Sequence, residues 1–333
     1  MARTNTAENA KLLYEAGEEY TDFTQLTDSG DQTKYESGAS MWSGRSGYEP
    51  DVRPNGLITG GEVTPADSND SVDVAALTAY LAGVEDSVAS GSVSVSRPST
   101  DVAKISSITV DSTGSLVEVT GTDGSDQTFS ESRGAEGGPP WIPTDSIEIA
   151  QVRMTTSASA KFSKDQIKQV VGKHRERWDS PVWDEHMFDA TVEFISALPT
   201  IHSDDSGSTT KTKAVWAAYY EPTFTEQPYC SDFQAPEKSH SVNSTQVYGT
   251  TLASHSSSLG QGSFTTRLKD GITDNLVAMK DEEIWFKFFP DRNKSPYLAC
   301  QGKLGVSRSY PAGDHIQAEC TISAIEPAEG VSS

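Results

Sequence analysis

The chain has 333 residues, 48 of them acidic and 26 basic, for a formal net charge of -22, and its apolar fraction is only 35%. That length accommodates two ordinary domains, and the acid excess runs through both halves, 26 acids to 12 bases in residues 1–170 and 22 to 14 in residues 171–333. Acidity spread in this way argues against a basic grip on nucleic-acid phosphate, and three cysteines with no CxxC pair argue against a disulfide or zinc scaffold.

Abundant Ser, Thr, Asp and Gly suit β structure with solvated loops, while regular alternation and 8% aromatic residues speak against disorder. The charge serves either as a plain solubilising surface or as a wall past which a polyanion slides without sticking. The N-terminus, MARTNTAENAKLLYEAGEEY, has no signal-type apolar run and no segment reaches the length of a membrane span. No membrane partner is expected, and free cysteines point to a reducing compartment.

Residues 1–55 are polar and weakly patterned, apart from a possible short helix in TAENAKLLYEAG. They read as an extended N-terminal arm with Trp42, Tyr48 and Pro50 as isolated apolar anchors. Residues 56–160 read as an additional β module, rich in short β-branched runs such as Ile105–Val110. Within it VDVAALTAYLAGVEDSVAS passes for an alanine-rich helix, but Val72, Val74, Leu77 and Tyr80 fit helical spacing poorly, so strand is expected. Asp111-Ser112-Thr113-Gly114 reads as a hairpin turn, and a Gly/Pro loop leads into a strand from Ile147 to Met154.

Residues 161–178 are the expected helix or linker, with Ser163 as N-cap and Ile167, Val170, Val171 and His174 on one face. Its basic end, Lys173 to Arg177, suits a helix C-terminus better than a nucleic-acid patch. Strands resume at Pro181, with Phe188, Ala190, Val192 and Phe194 inward and Asp189, Thr191 and Glu193 outward. Ala214–Tyr220 is apolar on both faces, as in a central strand. HSDDSGSTTKTK and ASHSSSLGQGS read as polar loops.

The last sixty residues alternate most clearly. Ile284, Phe286 and Phe288 oppose Trp285, Lys287 and Phe289; Leu298, Cys300, Gly302, Leu304 and Val306 form a second set. Ile316, Ala318, Cys320, Ile322 and Ala324 form a third, opposite Gln317, Glu319, Thr321 and Ser323. The turns PDRN and PAGD separate them, as in antiparallel strands with one apolar face.

Motifs for chemistry are missing. There is no nucleophile elbow, HExxH or Walker A. Gly260-Gln261-Gly262 lacks a third glycine, Asp67-Ser68-Asn69-Asp70 lacks the rest of a calcium loop, and His202 with Asp204 and Asp205 reads as a solvated loop. No enzyme activity, cofactor or metal is expected.

The stretches WFKFFPD, QGxLGVSRSYPAGD and AECTISAIEP resemble the C-terminal part of major tail tube proteins of long-tailed, siphovirus-like bacteriophages. The resemblance is strongest over residues 263–326, fair from about 181 and weak before. It implies a mainly β fold, a tail-tube-type β-sandwich or half-barrel with a flanking helix over residues 179–328. Residues 56–160 exceed what such a tube domain needs, and the additional N-terminal β module is expected either to decorate the tube exterior or to help cross-link successive rings. It also implies a structural virion protein assembled in the host cytoplasm, whose hexameric rings stack into a tube, with a lean towards a non-contractile tail. The implied partners are further copies of the chain, a tape-measure protein, tail terminator and tail-tip proteins, and phage DNA passing through an acidic lumen without specific binding.

On that basis Asp189, Glu193 and Glu319 are candidate lumen residues, although ordinary outer-surface carboxylates fit them equally. Trp42, Tyr48, Trp285, Phe289 and Tyr310 are candidates for subunit and ring interfaces. Residues 1–55 and the loop 224–262 are candidate arms to a neighbouring subunit. The alternative is a receptor-binding or fibre-like tail protein with a carbohydrate-binding β module using Trp141 or Trp42.

Overall fold

The computed structural model describes residues 7–30, 33–170, 181–188, 190–194, 202–203 and 214–332. Their structure is mainly β, divided into two units: Met1–Glu19 with Tyr220–Ser333, and Tyr20–Tyr219. In chain order the second unit is an insertion in the first. The ten strands of the first unit are β1 (Lys11–Tyr20), β2 (Tyr220–Gln227), β3 (Cys230–Gln234), β4 (Lys238–Val247), β5 (Thr250–Leu259), β6 (Gly262–Arg267), β7 (Glu283–Phe289), β8 (Tyr297–Ser309), β9 (Gln317–Ser323) and β10 (Glu329–Val331).

Eight of these strands form one sheet in the order β2-β1-β7-β8-β9-β6-β3, with β10 paired beside β8. The two end strands, β2 and β3, are joined only by Pro228 and Tyr229. A sheet whose end strands are joined by a two-residue turn must curl back towards itself. Gln227 Nε2 donates to Thr266 Oγ1 at 2.9 Å, tying the end of β2 to β6 at the point of closure. The inner face gathers Leu12, Tyr14, Phe264, Ile284, Phe286, Leu304, Cys320 and Ile322 into one core. These are the alternating apolar positions of the C-terminal block, joined by two from β1. A one-turn helix, Asn275–Ala278, adds Leu276.

The second unit has two cores. Val215–Ala218, buried at every position, lies between Thr24–Gln25 and Asp51–Pro54. It shares a core with Leu26, Tyr35, Met41, Ala190 and Val192. The other core spans Leu57 to Phe162 and is built by three small sheets. At its centre the strand Lys104–Val110 pairs with both Leu116–Val119 and Ile147–Met154. Buried Glu148 accepts the Ser107 hydroxyl and Gln151 Nε2, the latter at 3.2 Å, and forms an ion pair with Arg133. Arg133 Nη1 also donates to the Pro140 carbonyl at 2.8 Å, which anchors the Gly-rich loop before Trp141.

Several expectations need correction. Residues 1–55 are not an extended arm. Leu12 and Tyr14 are 1% and 2% exposed in the core of the eight-stranded sheet, and Lys34–Glu36 and Asp51–Pro54 pair with strands from residues 181–218. Apolar contact offered by distant strands outweighs the local helical spacing of AENAKLLYEAG. The expected helix at 161–178 is a single 3-10 turn, Lys164–Gln166, followed by the strand Ile167–Gln169 paired with Ala150–Val152. The rest of that stretch, 171–180, lies outside the described residues. ASHSSSLGQGS is no loop: β4 and β5 form a hairpin with ten paired positions on each side. By contrast VDVAALTAYLAGVEDSVAS forms strands as expected, Ser71–Val74, Leu77–Leu81 and Val84–Val88.

Candidate functional site

The candidate site is the outward face and the edges of the first unit. Alternation that sends apolar residues inward sends polar ones outward. Glu319 of β9 stands between Thr265 of β6 and Ser307 of β8, and Thr321 stands between Ser263 and Gly305. Gly305 makes room for this hydroxyl column, since a Cβ there would lie 2.3 Å from Thr321 Oγ1. Ser323 is paired with Lys303, which is paired in turn with Glu283, and Gln317 with Arg267. Around this hydroxyl column the charges are mixed, Glu283 and Glu319 beside Lys303 and Arg267, so the patch on β6, β8 and β9 is hydroxyl-rich and not uniformly acidic.

Two of the three candidate lumen carboxylates are exposed and belong to different units, Glu319 on β9 of the first and Glu193 on Thr191–Phe194 of the second. Asp189 lies outside the described residues. The second unit carries 30 acids to 15 bases and the first 18 to 11, so most of the negative charge sits in the insertion.

The aromatic candidates divide by burial. Trp42 is 4% exposed beside Phe188, with ring centroids 5.7 Å apart, and Trp285 is 0% exposed with its backbone N–H donated to Glu15 Oε2 at 3.0 Å. Neither side chain is presented to a partner, which corrects both assignments and also removes Trp42 as a sugar platform. Trp141 is half-buried. Tyr48 is half-buried under the Arg45 guanidinium at 3.5 Å, and Phe289 is half-buried between Tyr297 at 5.1 Å and Lys11 at 4.4 Å. Tyr310 is 56% exposed, its hydroxyl donating to the Gly271 carbonyl at 3.3 Å beside exposed Ile272.

Edges are the second feature. Pairing of β8 with β7 ends at Lys303, while pairing with β9 continues to Ser309. Among the described residues no strand covers the other edge of Val306–Ser309. The outer edges of β2 and β3 are likewise the ends of the sheet. Open edges are templates for another chain unless something covers them.

The third feature was missed by sequence reasoning. The β4–β5 hairpin is exposed on both faces along nearly its whole length, and its tip residue Tyr248 is fully exposed. Gly249, at φ 85, supplies the positive φ that closes the two-residue turn. Cross-strand hydroxyls support the pairing, Ser239 to Ser258 at 2.9 Å and Ser241 to Ser256 at 2.7 Å. The signal was available in Tyr248-Gly249 between two β-prone polar runs.

Chemical reactivity is muted. Burial pushes the Cys300 and Cys320 thiols up to about 12, with Cys230 adding to the shift at Cys320. Burial also raises Cys230, to about 11. All three are protonated at neutral pH and are poor nucleophiles. Among the described residues no three His, Cys, Asp or Glu side chains group as metal ligands. Neither a scan against protein-family models nor a search of curated proteins finds a match to the chain.

Proposed function

We propose that this chain is a self-assembling structural subunit, the major tube protein of a long-tailed phage tail. Its half-barrels would join edge to edge into hexameric rings, and the rings would stack into a tube around a tape-measure protein. The observation that carries the proposal is the curled sheet of residues 220–331 with β1: one apolar face inward, one hydroxyl-rich face outward, and open edges at β2, β3 and the end of β8. A closed ring is the arrangement that pairs every such edge. The tail-tube resemblance of residues 263–326 falls within this unit.

On this reading the hydroxyl-rich face of β6, β8 and β9 lines or adjoins the channel, and DNA passes because no cationic cluster holds it. The inserted second unit, with most of the acid, lies on the exterior. Tail terminator and tail-tip proteins would meet the tube ends. The location is the virion, with assembly in the host cytoplasm.

Electron microscopy of the purified full chain tests this directly. Tubes of stacked sixfold rings are expected; a protein that stays monomeric or trimeric at high concentration refutes it. Glu319→Lys, placing a cation in the hydroxyl column, is expected to keep tubes intact and to slow DNA ejection. Unchanged ejection would remove that face from the channel.

A further inference from the structure

Among the described residues the hairpin of β4 and β5 adds only Leu259 to the core of the sheet. Two strands alone are marginally stable in water, and this pair lies exposed on both faces. It is also the longest charge-free stretch of a strongly acidic chain: residues 239–266 contain no Asp, Glu, Lys or Arg, although 22% of the chain is charged. A segment without charge is the part of such a molecule that approaches another copy without repulsion. At its tip Tyr248 offers an aromatic ring wholly to solvent.

The eight-stranded sheet supplies a receptor for such a ring. Between β3 and the start of β1 lies a cavity of about 550 Å³. Leu12, Cys230, Phe233 and Phe288 line it, and the two phenylalanine rings stack at 4.2 Å. At its mouth Arg292 and Glu226 pair at 2.8 Å, both half-exposed. A tyrosine lying along the aromatic stack would bury its ring face there and set its hydroxyl to donate to the Glu226 carboxylate.

We propose that Tyr248 of one copy docks in the Phe233–Phe288 cavity of a second copy. Length forces the contact to be intermolecular. Ten residues at about 3.3 Å each carry the tip some 33 Å from its root, and that root follows three residues after β3, which borders the cavity. A hairpin cannot return its tip to its own base. The inference rests on the self-assembly reading and specifies one of its contacts, naming both the inserted residue and the surface that receives it.

The test places the photo-cross-linking residue p-benzoylphenylalanine at position 248 of the full chain and mixes copies of normal and heavy-isotope label before irradiation. Cross-linked peptides are expected to join 248 of one label to Leu12, Phe233 or Phe288 of the other. Links within one label only, or to other regions, overturn the docking. Tyr248→Ala, and Ser231→Trp to crowd the cavity, are each expected to weaken self-association by at least about tenfold. The double variant should lose no more than the stronger single one, because both changes break one contact. Fully additive losses overturn the docking. Sixfold tubes without the cross-link sink the docking alone, and the cross-link in assemblies that are not tubes sinks the tube reading alone.

Discussion

The eight-stranded sheet and the β4–β5 hairpin are built from the same antiparallel pairing, yet one buries almost every second side chain and the other buries almost none. In β7 the sequence EIWFKFF places Ile284 and Phe286 in the core at 2% and 0% exposure. In β4 the sequence KSHSVNSTQV is polar at every position but Val242 and Val247. Pairing is thus separable from burial. Ser and Thr at cross-strand positions with a Tyr-Gly turn suffice for a ladder, whereas stability requires apolar area removed from water. A long ladder without that area points to a surface awaiting a partner.

Substitutions sharpen this contrast. Phe286→Ala, in the core of the eight-stranded sheet, is expected to cost about 3–5 kcal/mol in denaturant unfolding. A loss under 1 kcal/mol would show that the sheet does not depend on its inner face. Gly302→Ala comes next at about 1–3 kcal/mol, because a Cβ there would meet Ile322 Cγ2 at 2.7 Å and the Ser323 backbone at 2.9 Å.

A smaller, pH-dependent effect is expected at Asp270, in the loop beside Tyr310. The Thr273 hydroxyl and the backbone N–H groups of Thr273 and Ile272 hold this carboxyl at about 2, below its ordinary 3.8. A depressed folded value stabilises fully above the ordinary value and is lost as pH falls through the folded one. The Tm advantage of the parent over Asp270→Asn should therefore be present at neutral pH and fade between pH 3.8 and about 2. An advantage that grows on acidification would overturn the assignment. Smallest of all, Val242→Ala and His240→Ala in the hairpin should leave monomer stability within about 0.5 kcal/mol of the parent. A large loss there would erase the distinction between the two regions.

How legible each region was follows from the same contrast. The strands of residues 263–324 were readable because their alternation is apolar against polar and their turns carry Pro, Gly and Asp. The hairpin was not, because period-two patterning without apolar residues looks like a loop. β1 was hidden by Glu15, Glu18 and Glu19 and by helix-like spacing; only its pairing with β7, Leu12 opposite Phe288 and Tyr14 opposite Phe286, makes it a strand. Ile167 was misread as a helical face for the same reason, its partner being Val152. Among the site residues, sequence identified Trp42 and Trp285 as large aromatics but not that both are buried, since burial depends on what folds over them. The polar face around Glu319 was legible, but its mixed charge required knowing which strands lie side by side.

The insertion of one unit into the other also sets an order of events during synthesis. β1 leaves the ribosome first, yet β7 and β2, its neighbours in the sheet, lie beyond residue 219. At about 5–20 residues per second, the 200 intervening residues take roughly 10–40 s to emerge. Through that interval Leu12, Leu13 and Tyr14 wait with no sheet to join. The inserted unit can meanwhile complete itself, and Thr21 and Tyr219, hydrogen-bonded at 2.9 Å, bring its two ends together. Once that clasp closes, β1 and the newly made β2 start side by side, so a strand pair separated by 200 residues of chain forms as if it were a local hairpin.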